Sequence, residues 1–300
     1  MSGAGQDANG DRFETIDLLR EGRVIFATID NPPLHLLTRQ LLADLDALTR
    51  AVAADEDALV LVIKSRDPDI FLTHNEFANL YAIQPAEVPR SVDEVTLNGM
   101  HLICERLRTM DTVTIAQVEG RAAGGGAALV MACDLAFGSL GGAVFNTMSV
   151  PLGSVPGGGA SQYLPRAIGR SRALELILAG LDLDAATAER WGYLNRALDP
   201  DEIDGYVTAL AHRIGACSPE AVRHTKALVG DGDGDIEAGL RQENFRFRQL
   251  MATDASRGLI DVFLEIGGET RAGELRMGDL LGEVLDRSRV TPPGARSSRE

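Results

Sequence analysis

The chain has 300 residues, 45% of them hydrophobic, which suffices for one large domain or a domain with a helical annex around a real core. Its 29 basic and 44 acidic residues leave a net charge of −15, which argues against nucleic-acid binding and against docking on anionic membranes. Three widely spaced cysteines, Cys104, Cys133 and Cys217, with no C-x-x-C pair, point to a reducing compartment and no structural zinc.

Residues 1–11 are small and polar, lack a basic-then-apolar signal pattern and read as disordered. Residues 23–30 (RVIFATID) read as a strand ended by Asn31-Pro32-Pro33. Thr38 caps a predicted helix whose Leu41, Leu45, Leu48 and Val52 share one face. The continuous apolar run 58–63 (ALVLVI) predicts a strand buried on both faces. A polar loop, 64–76, follows. Ser91 and Glu94 resemble a capping box that opens a helix reaching Met110, and 113–118 (VTIAQV) is the next strand. Alternating strands and helices imply right-handed crossovers and a mostly parallel core.

The stretch 120–134, GRAAGGGAALVMACD, organises the chain. Gly124, Gly125 and Gly126 separate a strand from an alanine-rich apolar run, 127–133, that reads as a buried helix. Glycine lets the main chain approach another group with no Cβ in the way. The first helical turn carries unpaired amide N–H groups and the positive end of the dipole. Such a place stabilises a bound anion or a forming oxyanion, while its simpler use is close helix–strand packing. The spelling fits neither the dinucleotide fingerprint, since Leu129 stands where the third glycine is needed, nor a P-loop.

Residues 135–138 and 143–146 are short strand candidates, and 150–159 (VPLGSVPGGG) is a long turn. Residues 171–179 and 185–191 read as helices and 193–198 as extended chain. From Asp201 the pattern is almost wholly helical, with a clean helix start at Ser218-Pro219-Glu220. Residues 291–300 read as a free tail. No apolar run approaches the ~20 residues of a membrane span, and the expected location is the cytoplasm.

In order and at family spacing, VEGRAAGGGAALVMACDLAF, AVFN, PLGSVPGGGASQYLPRAIGRSRALELILAG and AATAERWGYLNRAL resemble the crotonase, or enoyl-CoA hydratase/isomerase, superfamily. The NPP at Asn31, the ALVLVIKS strand and the DIFLTHNEF loop extend the resemblance over roughly 13–270. It implies an α/β fold, a spiral of ββα units with a helical C-terminal region that builds homotrimers, often paired into hexamers. The implied division is a core at 12–199, a helical region at 200–286 and a disordered tail at 287–300. The implied substrate is an acyl thioester, usually of coenzyme A, which enters as part of the substrate rather than as a resident cofactor. Carried over by position, the oxyanion hole consists of the backbone N–H groups of Asn75 and Gly125, with Phe71 and Gly124 as substrate contacts beside it.

The sequence also departs from the family pattern. Family hydratases carry one glutamate two residues after the glycine triplet, where Ala128 stands, and a second where Ser149 stands. Hydration needs one carboxylate to activate water and another to pass a proton. The dehalogenase branch needs an aspartate where Gly157 sits. Remaining candidates for proton transfer are His74, ranked first because an imidazole titrates near neutrality, then Glu76, which otherwise ties down the loop, and Ser149 through a water. Lys64, Arg66 and Arg121 are candidate contacts for the thioester's phosphates, with Arg121 also facing a neighbouring subunit as an alternative. Glu105, beside Arg106 and Arg108, reads as a solvated face, and His35 as structural. His101, His212 and His224 lack metal-ligand spacing, and no metal is expected.

Three readings follow. The chain is an enzyme using the hole for isomerisation, cyclisation, carbon–carbon cleavage or hydrolysis rather than ordinary hydration; a pseudoenzyme that binds an acyl thioester or a partner; or an enzyme of the same fold acting on a non-thioester ketone. A trimer or hexamer is expected because Leu259, Ile260, Val262, Phe263 and Leu264 exceed what a small annex buries alone.

Overall fold

Strands made of unbroken apolar runs must be covered on both faces, and this chain covers them with a second sheet and helices on one side and a helix on the other. The computed structural model describes residues 13–81, 88–217, 219–230 and 236–290. The expected N-terminal disorder, the Ser218 cap and residues 291–300 lie outside them.

The chain opens with a hairpin, β1 (Ile16–Glu21) and β2 (Val24–Ile29), turned at Gly22. Helix α1 (Arg39–Ala54) follows, its Thr38 side chain accepting the Leu41 N–H and its Leu41, Leu45, Leu48 and Val52 buried as the periodicity required. Next come β3 (Val60–Ser65), β4 (Ile70–Leu72) and α2 (Phe77–Tyr81). After a 3-10 turn at Val92–Glu94 stands α3 (Gly99–Thr109). Then come β5 (Val113–Val118), β6 (Arg121–Ala123), α4 (Gly125–Ala132), β7 (Leu135–Ser139) and β8 (Val144–Asn146). The remainder is α5 (Ala160–Ile168), α6 (Arg170–Ala179), β9 (Leu183–Asp184), α7 (Ala185–Trp191), β10 (Arg196–Leu198) and α8 (Ile203–Gly215). Five C-terminal helices close the chain: α9 (Pro219–Gly230), α10 (Ile236–Met251), α11 (Asp254–Glu265), α12 (Arg271–Glu274) and α13 (Met277–Val290).

Six strands form one sheet in the order β1-β2-β3-β5-β7-β10, parallel throughout except for the β1–β2 hairpin. A second sheet has the order β4-β6-β8-β9, with β4, β6 and β8 parallel. Each of β3–β4, β5–β6 and β7–β8 therefore gives one strand to each sheet before a helix returns the chain, which is a spiral of ββα units.

The period-2 alternation of strands sorts side chains between two cores. Ile25, Ala27, Ile29, Leu61 and Ile63 face α1, α3 and the second sheet. Val24, Phe26, Val60 and Val62 face α8, where Ile203, Val207 and Ala211 cover them. A third cluster holds α11 and α13 against Phe77, Met148 and Leu152.

Several boundaries differ from expectation. The 64–76 loop contains β4, whose three residues are too short to show a period. Ser91 makes no side-chain cap; Glu94 instead accepts the Arg90 N–H at 2.9 Å, and the helix starts at Gly99, where Asn98 caps His101. Pro165 within α5 hides that helix from a reading that stops at proline. Helix α13 runs to Val290, into the stretch assigned to the tail. Ile260 and Phe263 are buried within this chain and Leu259, Val262 and Leu264 pack on the same cluster, so the apolar content of α11 is no argument for assembly.

Candidate active site

Strands β4 and β6 are parallel neighbours, with Ile70 opposite Arg121 and Leu72 opposite Ala122, so the loops at their C-terminal ends emerge side by side. The first carries Thr73, His74 and Asn75, the second the glycine triplet. The Gly126 N–H donates to the Thr73 carbonyl at 3.1 Å, and the Gly124 N–H to the Asn146 carbonyl at 3.0 Å. A Cβ on Gly126 would overlap the Leu72 carbonyl oxygen, and Gly124 sits at φ 54°. Only glycine permits both the close approach and the positive φ at low cost. The triplet therefore does pack a helix onto a strand, and in doing so it sets the first turn of α4 beside the β4 loop.

Leu37 donates to the His74 carbonyl at 2.9 Å and accepts the Glu76 N–H at 3.4 Å, which pins the β4 loop from the other side. Among the described residues, neither the Asn75 N–H nor the Gly125 N–H has a hydrogen-bond partner. Both residues line one cavity of about 60 Å³. Its other walls are His74, Phe77, Gly124, the 147–160 turn including Ser149, Gly157 and Gly158, and Phe247, Met251 and Ile260 from α10 and α11. None of the described residues lining it is an aspartate or a glutamate. Ala128 is buried behind Gly158, where a Cβ on that glycine would lie 3.3 Å from the alanine methyl. One unpaired donor at the α4 N-terminus and another on the β4 loop, facing a cavity with no carboxylate among the described lining residues, can hold an oxyanion or a polarised carbonyl oxygen.

His74 is buried, and its ring has two partners. Nδ1 lies 2.9 Å from the Asn75 carbonyl and Nε2 lies 2.8 Å from Oε1 of Glu274 on α12, a carboxylate with no solvent exposure. The ring stacks on Phe77 at 4.8 Å and meets the edge of Phe263 at 6.1 Å. Burial opposes the imidazolium charge, but the Glu274 carboxylate outweighs it and His74 is held above its ordinary value. A ring with both nitrogens directed at acceptors has no lone pair for a substrate proton. His74 therefore does not have the geometry of the proton acceptor that its place beside the hole suggested.

Asn75, Gly124, Gly125, His74 and Ser149 converge on the cavity; the other candidates do not. Phe71 is wholly buried in the main core, because β4 points it inward. Arg121, 4% exposed, makes a bidentate pair with Asp182 at 2.8 Å for both bonds, so it is not open to a phosphate. Lys64 is bound to Asp204 at 2.8 Å, and Arg66 is paired with Asp17 and Asp30. Each cation expected at a phosphate is thus satisfied by a carboxylate of this chain. Glu76 is absent from the cavity wall. Glu105 is not a bare solvated face: it pairs with Arg108 at 3.0 Å and accepts the Tyr163 hydroxyl at 3.0 Å. His35 is structural as read, buried at φ 45° against Ser65 Oγ at 3.0 Å.

Glu274, Phe77, Phe247, Met251 and Ile260 were missed. Phe77 lies two residues beyond Asn75 and could have been read from the loop. The others arrive from helices about 170–200 residues downstream, and no local pattern announces that those helices fold over this loop.

The description Enoyl-CoA hydratase/isomerase matches residues 20–269. A Rhizobium meliloti (strain 1021) protein named "Probable enoyl-CoA hydratase" is 32% identical over 244 residues, covering 81% of this chain and 91% of the relative. The short-chain-enoyl-CoA hydratase of Clostridium acetobutylicum is 27% identical over 261 residues, covering 84% and 95%. A Streptomyces avermitilis crystal structure, named as that of "a putative enoyl-CoA hydratase", superposes with a TM-score of 0.81 at 32% identity, over 90% of this chain and 97% of that one. With the spiral of ββα units and the family model spanning most of its length, the chain belongs to the enoyl-CoA hydratase/isomerase family, the crotonase superfamily, and has its fold.

Proposed function

We propose that this chain is an enzyme that acts on an acyl thioester, of coenzyme A or of another carrier, by a reaction other than ordinary hydration. The thioester oxygen sits between the Asn75 and Gly125 amides, which stabilise negative charge as an enolate forms. The observation that carries this reading is the conjunction of two unpaired amides with a cavity wall that holds no carboxylate among the described residues. Family membership supports the acyl-thioester class, since relatives carry enoyl-CoA hydratase names.

General acid–base help from one positioned side chain is worth roughly 10²–10⁴-fold. With Ala128 and Ser149 in the glutamate slots, hydration loses both contributions. Proton transfers then come from Ser149 through a water or from the substrate itself, which fits isomerisation, cyclisation, carbon–carbon cleavage or hydrolysis. The absence of a carboxylate equally favours a second reading, a pseudoenzyme that binds the thioester without turnover.

The test is crotonyl-CoA with wild type and Ala128→Glu. Wild type is expected to hydrate it poorly and Ala128→Glu to gain measurable activity. Turnover by the wild type at the rate of an efficient enzyme would overturn the proposal. Tight binding of acyl-CoA with no product from any acyl chain would favour the pseudoenzyme, and binding of a diketone but not of CoA esters the non-thioester reading.

The assembly in this reading is a homotrimer or a hexamer, and the compartment is the cytoplasm. Leu174, Leu178 and Leu181 support subunit contact: they are 37%, 56% and 55% exposed, the first two on α6 and the third just past its Gly180 cap. The three cysteines are unpaired, which suits a reducing compartment. No helix among the described residues is long and apolar enough to cross a membrane.

A further inference from the structure

We propose that Glu274 is a positioning residue for the acyl-oxygen site, acting through His74: its carboxylate holds the ring so that Nδ1–H stays directed at the Asn75 carbonyl and fixes the residue whose amide is left unpaired. The inference rests on the function proposed above and adds to it a residue from the opposite end of the chain.

Asn75 is pinned from both sides. The peptide that carries its N–H has its carbonyl, that of His74, bound by the Leu37 N–H at 2.9 Å. Its own carbonyl is bound by His74 Nδ1 at 2.9 Å. A carbonyl can only accept, so that second bond requires a proton on Nδ1. An isolated neutral imidazole meets the requirement in only one of its two tautomers, since its single proton can sit on either nitrogen. Glu274 meets it. Its Oε1 accepts a hydrogen bond from Nε2–H at 2.8 Å, and a ring donating from both nitrogens is the imidazolium.

The pair is built for this use rather than for a generic ion pair. Glu274 has no solvent exposure and His74 is only 4% exposed. Among the described residues the other carboxylate oxygen, Oε2, has no hydrogen-bond partner, so His74 is the side chain that Glu274 engages there. Phe77 and Phe263 enclose the ring. The other charged group acting on it is Glu269, whose Oε1 accepts the Phe77 N–H at 2.8 Å and whose charge also favours the imidazolium.

Loss of one proton has a defined consequence. The remaining proton goes to the stronger acceptor, the carboxylate, and so stays on Nε2. Nδ1 then turns a lone pair toward the lone pairs of the Asn75 carbonyl, and the contact that pins Asn75 becomes repulsive. The acyl-oxygen site is therefore set below the raised His74 value and released as pH rises through it. In Glu274→Gln the amide can donate to Nε2, which leaves a neutral ring with its proton on Nδ1 and removes this dependence.

The test uses the full chain and two readouts. Nitrogen NMR of the labelled histidines, with His74 assigned from a His74→Asn spectrum, reports the ring's protonation. Acetoacetyl-CoA, an enolisable thioester, reports the acyl-oxygen site through the near-ultraviolet band of its bound enolate. Wild type is expected to keep both His74 nitrogens protonated at pH 7, and Glu274→Gln to hold a neutral ring there. The enolate band per bound ligand, as a ratio of wild type to Glu274→Gln, is expected to fall at least several-fold as pH rises through the His74 titration seen by NMR. A neutral His74 in the wild type at pH 7, which needs no variant to detect, would overturn the inference. So would a ratio that does not change with pH. A charged His74 in a protein that binds no acetoacetyl-CoA would overturn the proposed function, and the role of Glu274 in it, while leaving the pair itself intact.

Discussion

Gly125 carries the most specific demand placed on a single residue. It must begin α4, lie against Leu37 and keep its N–H unpaired. Proline there keeps a helix-compatible φ but deletes the donor. Gly125→Pro is therefore expected to lose roughly a hundredfold or more of turnover, the usual effect of removing one oxyanion donor. The check is kcat/KM on the acyl thioester that wild type turns over, with circular dichroism to confirm folding; full activity in a folded variant would remove Gly125 from the mechanism. Ala128 and Ser149 make the complementary point in the proposed function, which rests on the carboxylates they lack rather than on what they touch. The glycine triplet was legible in the sequence because its physical requirement, a backbone approach with no Cβ, is met by one residue type. His74 was legible as a neighbour of the site but not as a ring with both nitrogens engaged, because its partner lies 200 positions away. Arg121, Lys64 and Arg66 were misread for a related reason: a cation's partner is set by the fold, and each found a carboxylate in this chain.

Elements with a period or a cap were legible. Helix α1 was fixed by Thr38 and its apolar face, and α7 starts and stops where it was read. The cap of α7 is Asp184, whose carboxylate accepts the Thr187 N–H at 2.9 Å and the Thr187 hydroxyl at 2.8 Å. The Thr187 N–H holds that carboxyl below the usual range. A depressed carboxylate contributes stability that is present above its unfolded value near 3.8 and is lost as pH falls through the folded value. Asp184→Ala is thus expected to cost about 1 kcal/mol at neutral pH, with the difference shrinking as pH falls from 3.8 through the depressed folded value; urea denaturation at neutral and acid pH checks it. Elements without a period were not legible. Strand β4 has three residues, and β1 is a hairpin arm whose outer half is exposed. The packing of α10 and α11 over the site was also hidden, because an apolar stripe does not name the surface it covers. Phe263, wholly buried between Phe77, His74 and the α13 cluster, is the contact to test. Phe263→Ala is expected to destabilise by roughly 3–5 kcal/mol and to weaken thioester binding along with it. An unchanged denaturation midpoint would show that the C-terminal helices do not hold the site.

At the scale of the whole molecule, the spiral explains why the site lies where it does. Each ββα turn sends one strand into the small sheet, and the ends of adjacent strands β4 and β6 then meet at a single edge. The C-terminal helices roof that edge from within the same chain, while Leu174 and Leu178 of α6 and Leu181 just beyond it stay exposed; in the proposed assembly these leucines meet a neighbouring copy. Light scattering is expected to report three or six times the 32.0 kDa chain mass, and Leu178→Glu to shift it toward the monomer; a wild-type monomer at micromolar concentration would contradict this. The central claim, that the unpaired amides of Asn75 and Gly125 together hold the oxygen of an acyl thioester, is tested most directly by a crystal structure with acetoacetyl-CoA. The thioester oxygen is expected about 3 Å from both nitrogens, with no carboxylate beside the adjacent carbon. A thioester oxygen bound elsewhere, or an aspartate or glutamate facing that carbon, would contradict it.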